Sequence, residues 1–247
     1  MTDNSTSTPA HPRGQISSPD LNKSDLVVCN LSSRQVWDFE NAFYWFSHRT
    51  RINKLLAHYD LYRSITGIPG HIVELGVYKG ASLIRLATFR NCLENDFSRK
   101  IIGFDAFGKF PTQDLTSSKD VDFVERFERA GGYGLSVEEL EQIMQRKGFQ
   151  NYQLVRGNVF ETIPVYLTNN PETRIAFLHL DMDVKEPTVY ALNELYSRVV
   201  PGGIVVFDDY NAVAGETEAV DEFLSSRKLH LEKTTHYNVP CFIRKPA

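Results

Sequence analysis

Two pairs of aspartates follow two consecutive apolar runs of this chain. Asp181 and Asp183 close the run IAFLHLDMD, and Asp208 and Asp209 close the run GGIVVFDD. Ligands collect outside the carboxyl ends of the strands in an open parallel sheet, and strands joined by one crossover helix usually lie side by side. Both pairs are therefore expected at one edge of a sheet. Because crowded carboxylates repel one another and oxygen ligands suit a hard dication, the first hypothesis is a site for Mg²⁺, with Mn²⁺ as an alternative.

Each acid also has a simpler interpretation. An aspartate at a strand end often only caps the next helix, and for a single acid the two interpretations have about even odds. Two pairs on consecutive strands favour the site. His179 alternates with Asp181 on the same predicted strand, but a lone strand histidine is more often a hydrogen-bonded core residue, so it stays outside the catalytic set.

A glycine motif, HIVELGVYKGAS, covers residues 71–82. Gly76 ends a predicted strand and Gly80 begins a helix, which lets the backbone approach a ligand and directs free N–H groups at anionic oxygens. The spacing differs from the G-x-G-x-x-G of dinucleotide sites, and Glu74 precedes it. A carboxylate there suits an ammonium group, such as that of S-adenosylmethionine (SAM). The bland alternative is a tight strand-to-helix turn.

Four further residues complete the predicted cofactor site. Asp105 ends the second strand, IIGFD, where an acid commonly accepts hydrogen bonds from ribose hydroxyls, and Asn158 follows the third strand and could bind an adenine amine. Tyr78 and Ser82 belong to the glycine motif itself.

Apolar periodicity predicts an alternation of strands and helices after Ile68-Pro69-Gly70. The predicted strands lie at about 71–76, 100–105, 152–157, 174–181 and 203–208, and the helices near 80–95, 135–147, 159–169, 187–199 and 216–227. This order is typical of an α/β fold with a mostly parallel sheet and helices on both faces. Two late runs, 230–235 and 241–244, predict an antiparallel hairpin at the sheet edge.

The domain organisation is predicted as follows. Residues 1–30 form a disordered tail, because 1–25 are rich in Ser, Thr, Pro, Asn and Asp without an apolar run. Residues 31–67 form an amino-terminal helical extension, and 68–247 form the main domain. The segment 107–135 has a turn-forming composition and is expected to be a mobile, lid-like insertion that orders on ligand binding.

The four motifs IPGHIVELGVYKGAS, IGFDAFGKFP, LHLDMDVKEPT and PGGIVVFDDYN, spread over roughly 68–224, resemble the macrocin O-methyltransferase family of sugar O-methyltransferases. The resemblance implies a Rossmann-like class I methyltransferase fold, SAM as methyl donor, and Mg²⁺ bound by Asp181, Asp208 and Asp209. It also implies Asp183 as general base beside Asp181, and homo-oligomers formed through the amino-terminal helices. Lys185 stands where the family commonly has a tyrosine.

Composition narrows the class of partner. The net charge is −4 and there is no long basic run, so nucleic acid is an improbable ligand and a small molecule is expected. Three separated cysteines and no signal-peptide or membrane-spanning run are typical of a cytoplasmic protein.

The resulting hypothesis is a metal-dependent O-methyltransferase that methylates a sugar or another vicinal diol of a natural product or glycan precursor. Two alternatives stay open at this point. The string DMDV at 181–184 fits the opening motif of haloacid-dehalogenase-type phosphatases, although only 27 residues separate Asp181 from Asp208 (208 − 181). A non-catalytic nucleotide-binding module is the other alternative, because a fold does not fix a function.

Overall fold

The computed structural model describes residues 24–247, which divide between two compact units. The first unit ends at His48 and contains strands β1 (Val27–Val28) and β2 (Leu31–Ser32), a short 3-10 helix (Ser33–Gln35) and helix α1 (Val36–Phe46). Of the disordered tail predicted for residues 1–30, residues 1–23 lie outside the described residues, and 24–30 contain β1. The second unit spans Arg49–Ala247 and begins with helix α2 (Thr50–Arg63), which the sequence had placed in the amino-terminal extension.

The second unit is built on a seven-stranded sheet. Its strands are β3 (His71–Leu75), β4 (Ile101–Asp105), β5 (Tyr152–Arg156), β6 (Ile175–Leu180), β7 (Val199–Phe207), β8 (Leu231–Lys233) and β9 (Cys241–Arg244), in the spatial order β5-β4-β3-β6-β7-β9-β8. The strands from β3 to β7 pair in parallel, and β9 pairs antiparallel with both β7 and β8. The predicted α/β fold and its antiparallel carboxy-terminal strands are confirmed.

Helices cover the sheet: α3 (Ala81–Leu93), α4 (Ser118–Gly131), α5 (Val137–Arg146), α6 (Val159–Asn169), α7 (Lys185–Leu195), which a 3-10 turn (Tyr196–Arg198) extends, and α8 (Ala214–Ser225). The central strand β6 is buried at all six positions, as expected for a strand with helices on both faces. None of the helices among residues 24–247 is long and apolar enough to cross a bilayer.

Helix α4 lies within the segment predicted as a lid-like insertion, and its helical structure was not predicted. The segment 107–135 reads as a turn-rich insertion, yet fourteen of its residues are helical. Ser117 caps the helix by accepting a hydrogen bond from the Asp120 backbone N–H, and Val124 and Phe127 lie one turn apart on one face. The turn signals at both ends, GKFPTQD and AGGYG, hid the amphipathic stretch between them.

Buried Arg99 fastens the end of α2 to the sheet. Its guanidinium donates to the carbonyl oxygens of Ile65, Ile68 and Gly70 at 3.1–3.2 Å, and Nη2 lies 2.7 Å from Glu94 Oε1. Because a guanidinium offers five donors in one plane, it satisfies the chain's carbonyls where the helix ends and β3 begins. The position of α2 beside the sheet is thereby defined.

Candidate active site

A cavity of about 330 Å³ lies outside the carboxyl ends of the parallel strands. Residues at or just beyond the ends of β3, β4, β6 and β7 line it, among them Gly76, Asp105, Asp181 and Asp209. Helices α2, α3 and α4 contribute other parts of the wall, including Phe123. The position agrees with the general location of ligands in open α/β sheets.

Three of the four aspartates form one oxygen-rich cluster. Asp181, Asp183 and Asp209 each place a carboxylate oxygen within 4.8 Å of the others. Asp183 has a positive φ of 65°, and its carbonyl oxygen accepts a hydrogen bond of 3.0 Å from the Glu216 backbone N–H. Glu216 in turn accepts from the Asp209 backbone N–H at 3.0 Å. The start of α8 therefore holds both acidic loops together.

The negative charges of Asp181, Asp183 and Asp209 would repel one another. Burial, then the charges of Asp209 and Asp208, raise the pKa of Asp183 to about 8. Burial and the charge of Asp208 raise the pKa of Asp181 well above its usual range, and the same two causes raise the pKa of Asp209. A cation among the three would relieve this repulsion, and an all-oxygen donor set fits Mg²⁺ or Mn²⁺.

Asp208 differs from the other three. Its Oδ2 lies 2.5 Å from Lys54 Nζ, and its Oδ1 lies 3.1 Å from His58 Nε2 and 3.3 Å from His179 Nε2. Burial alone would raise the pKa of Asp208, but these hydrogen bonds and the positive charges of His179 and Lys54 hold it well below the usual range. Asp208 is thus an anion whose charge is already balanced by protein groups.

Arg85 determines which nitrogen of His58 carries the proton. Arg85 Nη1 lies 2.9 Å from His58 Nδ1, and because arginine only donates, Nδ1 must accept. Burial lowers the pKa of His58 to about 4 despite the hydrogen bond to Asp208, so the ring is neutral near pH 7. The proton then lies on Nε2, which donates to Asp208 Oδ1.

The glycine motif is shaped by the protein itself. A Cβ on Gly76, whose φ is +88°, would lie 1.8 Å from the carbonyl oxygen of Asp181, and a Cβ on Gly80 would lie 2.7 Å from Leu140 Cδ1. Gly76 therefore allows the ends of β3 and β6 to approach, and through them it positions the first acid of the cluster.

Asp105 arranges the loop that follows β3. Its carboxylate accepts backbone hydrogen bonds from Val77 and Tyr78 at 2.7 and 2.9 Å and from Phe107 at 2.6 Å. The side chain lines the cavity. Asn158 also lines the cavity, caps α6 through the Phe160 N–H, and donates to an Asp114 oxygen at 2.5 Å.

Glu74 lies behind the cavity wall. It is fully buried, its Oε1 accepts from Ser82 Oγ at 2.6 Å, and its Oε2 lies 3.6 Å from His179 Nδ1. Unlike Ser82, it does not line the cavity, so this geometry does not support the predicted contact with an ammonium group. Tyr78 lines the cavity and donates its hydroxyl to the Gly131 carbonyl at 2.6 Å, which links the glycine loop to α4.

The sequence model of the macrocin-O-methyltransferase (TylF) family matches residues 34–245. The chain belongs to the macrocin-O-methyltransferase family. A curated relative in Streptomyces olivaceus, 8-demethyl-8-(2,3-dimethoxy-alpha-L-rhamnosyl)-tetracenomycin-C 4'-O-methyltransferase, is 30% identical over 159 residues, which cover 64% of this chain and 59% of the relative. The chain spans less than two thirds of the length of the curated relatives that it matches.

Solved structures of macrocin-O-methyltransferase relatives agree with the fold. The apo structure of CalS11, described as a TDP-rhamnose 3'-O-methyltransferase of calicheamicin biosynthesis, is 28% identical with a TM-score of 0.61 and covers 84% of this chain and 85% of that one. The O-methyltransferase NovP has a TM-score of 0.68 at 22% identity and covers 79% of this chain and 81% of that one. The sheet and helices therefore form a class I SAM-dependent methyltransferase fold.

Sequence reasoning missed two side chains of this macrocin-O-methyltransferase family member that hold Asp208. Lys54 and His58 lie four residues apart and share one face of α2, which the sequence had assigned to a separate extension. The available signal was a cationic and an imidazole side chain at helical spacing, but it gave no reason to place them beside the strand ends. His179 is fully buried and does not line the cavity, but its Nε2 lies 3.3 Å from Oδ1 of Asp208, which does.

Proposed function

We propose that this protein is a SAM-dependent and divalent-metal-dependent O-methyltransferase whose acceptor is a hydroxyl of a sugar or of another small molecule with a vicinal diol. The observation that carries the proposal is the cluster of Asp181, Asp183 and Asp209 in the same cavity as the glycine loop. A hydroxyl near this cluster would lie beside both a cation and a methyl donor.

The relatives support the sugar acceptor. The Streptomyces olivaceus relative is named as a methyltransferase of a rhamnosyl-bearing tetracenomycin, and a further relative from Micromonospora griseorubida is named mycinamicin III 3''-O-methyltransferase. CalS11 is described as acting on TDP-rhamnose. A sugar hydroxyl is the chemical group that these names have in common.

The acids have distinct roles in this proposal. Asp181 and Asp209 would hold the cation together with Asp208, whose oxygens also contact Lys54 and the two histidines. When bound, the cation supplies Lewis acidity that makes a hydroxyl more acidic and fixes its orientation. Asp183 Oδ would accept the hydroxyl proton while the oxygen bonds to the methyl carbon and the carbon–sulfur bond of the donor breaks, which releases adenosylhomocysteine. Lys54 and His58 keep Asp208 ionised and fixed throughout.

The methyl donor would bind along the glycine loop. SAM supplies an electrophilic methyl group there. Asp105 and Asn158, both at the cavity wall, would orient its ribose and adenine, and the Tyr78 and Ser82 side chains would complete that side of the cavity. Aromatic residues of α4 and its flanks, such as Phe123 and Phe110, would limit the access of water.

The phosphatase alternative loses its support. A haloacid dehalogenase would use Asp181 as a nucleophile, but the chain has the fold and the family of methyltransferases, and its distal acids follow the neighbouring strand directly. The non-catalytic alternative is decided by experiment.

The test is a methyl-transfer assay on the purified protein. The protein is incubated with SAM and a panel of nucleotide-activated sugars and glycosides, in Mg²⁺, in Mn²⁺ and in EDTA, and methylated product is detected by mass spectrometry. We expect turnover that needs a divalent ion and is lost in Asp209→Asn, with adenosylhomocysteine (SAH) affinity retained. A protein that binds no SAH in calorimetry, or transfers methyl groups equally well in EDTA, contradicts the proposal.

A further inference from the structure

The cations of the cavity wall have unequal surroundings. Lys54 Nζ is bound to Asp208, and Lys79 Nζ donates to the Gly131 carbonyl at 2.5 Å. Arg85 uses one donor on His58 and forms no ion pair within the described chain. Arg51 lines the same cavity, is exposed, and has neither a hydrogen-bond nor an ion-pair partner among residues 24–247. Two guanidinium groups therefore have donors available for a ligand.

Both groups line the cavity that also holds the acid cluster. Arg51 precedes Lys54 by three residues on α2, which corresponds to about 4.5 Å along the helix axis. Burial lowers the pKa of Arg85, and the positive charge of Arg51 lowers it further, as expected for neighbouring cations. Lys54 in turn contacts Asp208. Arg51 therefore lies on the same side of α2 as Lys54, and both side chains line the cavity that contains the acids.

Such an arrangement suits an anion with several oxygens. The planar fork of a guanidinium matches phosphate oxygens in two parallel hydrogen bonds, and two guanidinium groups in one cavity can contact the two phosphates of a diphosphate. A neutral glycoside would provide no counter-ion for these two cations of the cavity wall. Because the arginines and the acids line one cavity, an anion held by the arginines would bring the sugar attached to it into the cavity that contains the acids.

We propose that Arg51 and Arg85 form a subsite for the diphosphate of a nucleotide-activated sugar. The sugar is then methylated before it is transferred to an aglycone. This inference rests on the proposed function. It places the reaction before a glycosyl transfer, which consumes nucleotide-activated sugars. Arg51 is a binding residue in this arrangement, and Arg85 both binds the anion and fixes the His58 proton.

The test uses calorimetric titration of thymidine diphosphate, uridine diphosphate and inorganic pyrophosphate into full-length protein that is metal-free and saturated with SAH. Saturation fills the adenosyl pocket, and removal of metal prevents bridging to the carboxylates. We expect both nucleotides to bind and Arg51→Gln to weaken them about tenfold or more, the loss that one charge-assisted hydrogen bond of 1.5–3 kcal/mol implies. Arg51→Lys should retain part of the affinity.

Arg63→Gln is the matched control, since Arg63 lies on the same helix, outside the cavity, and is paired with Asp60. We expect it to bind both nucleotides as the wild-type protein does. The inference is overturned if wild-type protein that binds SAH takes up no nucleotide, or if Arg63→Gln loses as much affinity as Arg51→Gln. It is also overturned if Arg51→Gln weakens SAH instead, because the anion would then be the carboxylate of the methyl donor. Failure of SAH itself to bind would instead contradict the proposed function.

Discussion

Substituting Gly76 with alanine should damage both the stability of the fold and the acid cluster. The new Cβ would lie 1.8 Å from the carbonyl oxygen of Asp181, whereas real contacts of this kind are not closer than 3.0 Å, so the backbone must separate by about 1.2 Å (3.0 − 1.8). The Asp181 N–H donates to the Leu75 carbonyl at 2.9 Å, and this hydrogen bond has to stretch. The ends of β3 and β6 can then no longer approach each other as closely at the point where Asp181 leaves the sheet.

Two contributions determine how far the free energy of unfolding of Gly76→Ala should fall. A side chain in the left-handed region costs roughly 1–2 kcal/mol, and displacing packed backbone adds about 2–3 kcal/mol, so we expect the free energy of unfolding to fall by about 3–5 kcal/mol. For a unit of this size that corresponds to a decrease of roughly 6–20 °C in Tm.

The assay is urea unfolding of Gly76→Ala beside Gly67→Ala. Gly67 is exposed and a Cβ there meets nothing within 4 Å, so this control should change the free energy of unfolding by less than about 1 kcal/mol. At temperatures where Gly76→Ala is folded, it should also bind Mn²⁺ more weakly than the control in electron paramagnetic resonance titrations. Equal stability of the two variants would refute the reasoning, because the close approach of Asp181 would then not exist in solution.

Three further predictions concern the base, the anchor and the lid. Asp183→Asn should lower kcat by roughly 10²–10⁴-fold at saturating Mg²⁺ while Mn²⁺ affinity changes less, and wild-type turnover would exclude Asp183 as the base. Arg99→Met should lower the free energy of unfolding by about 3–5 kcal/mol in urea, since it leaves buried Glu94 without its cation; a loss below 1 kcal/mol would contradict the anchoring role of Arg99. Tyr78→Phe removes the hydroxyl that donates to Gly131, so protease cleavage within 107–135 should accelerate, and SAH with acceptor should slow it; cleavage unaffected by ligands would exclude a lid.

Much of the sheet could be predicted from the sequence. The strands β3 to β6 begin and end within about one residue of their predicted bounds. For β3, β4 and β6 the reason is that buried parallel strands appear as apolar runs between turn residues, whereas β5 lies at the sheet edge and is only partly buried. Strand β7 begins at Val199, four residues before the predicted start at 203, since its pairing with β6 is irregular between Val199 and Ile204. Pro201 and the two glycines after it lie within this irregularity, where an extended chain does not need regular pairing.

Part of the site could also be predicted from the sequence, and the rest depends on tertiary structure. The order of strands and acids in the sequence determined that Asp181, Asp183, Asp208 and Asp209 share one sheet edge, since each follows a parallel strand whose direction is set by its crossover helix. Tertiary structure alone decided that Asp208 is bound by Lys54 and two histidines while the other three carboxylates face one another. Helix α2 lies more than a hundred residues from β7 in sequence, and its position depends on packing and on the buried Arg99, neither of which leaves a local pattern in the chain. Strand-end chemistry is local and periodic, whereas the pairing of charges across elements depends on distances that only the packed fold defines.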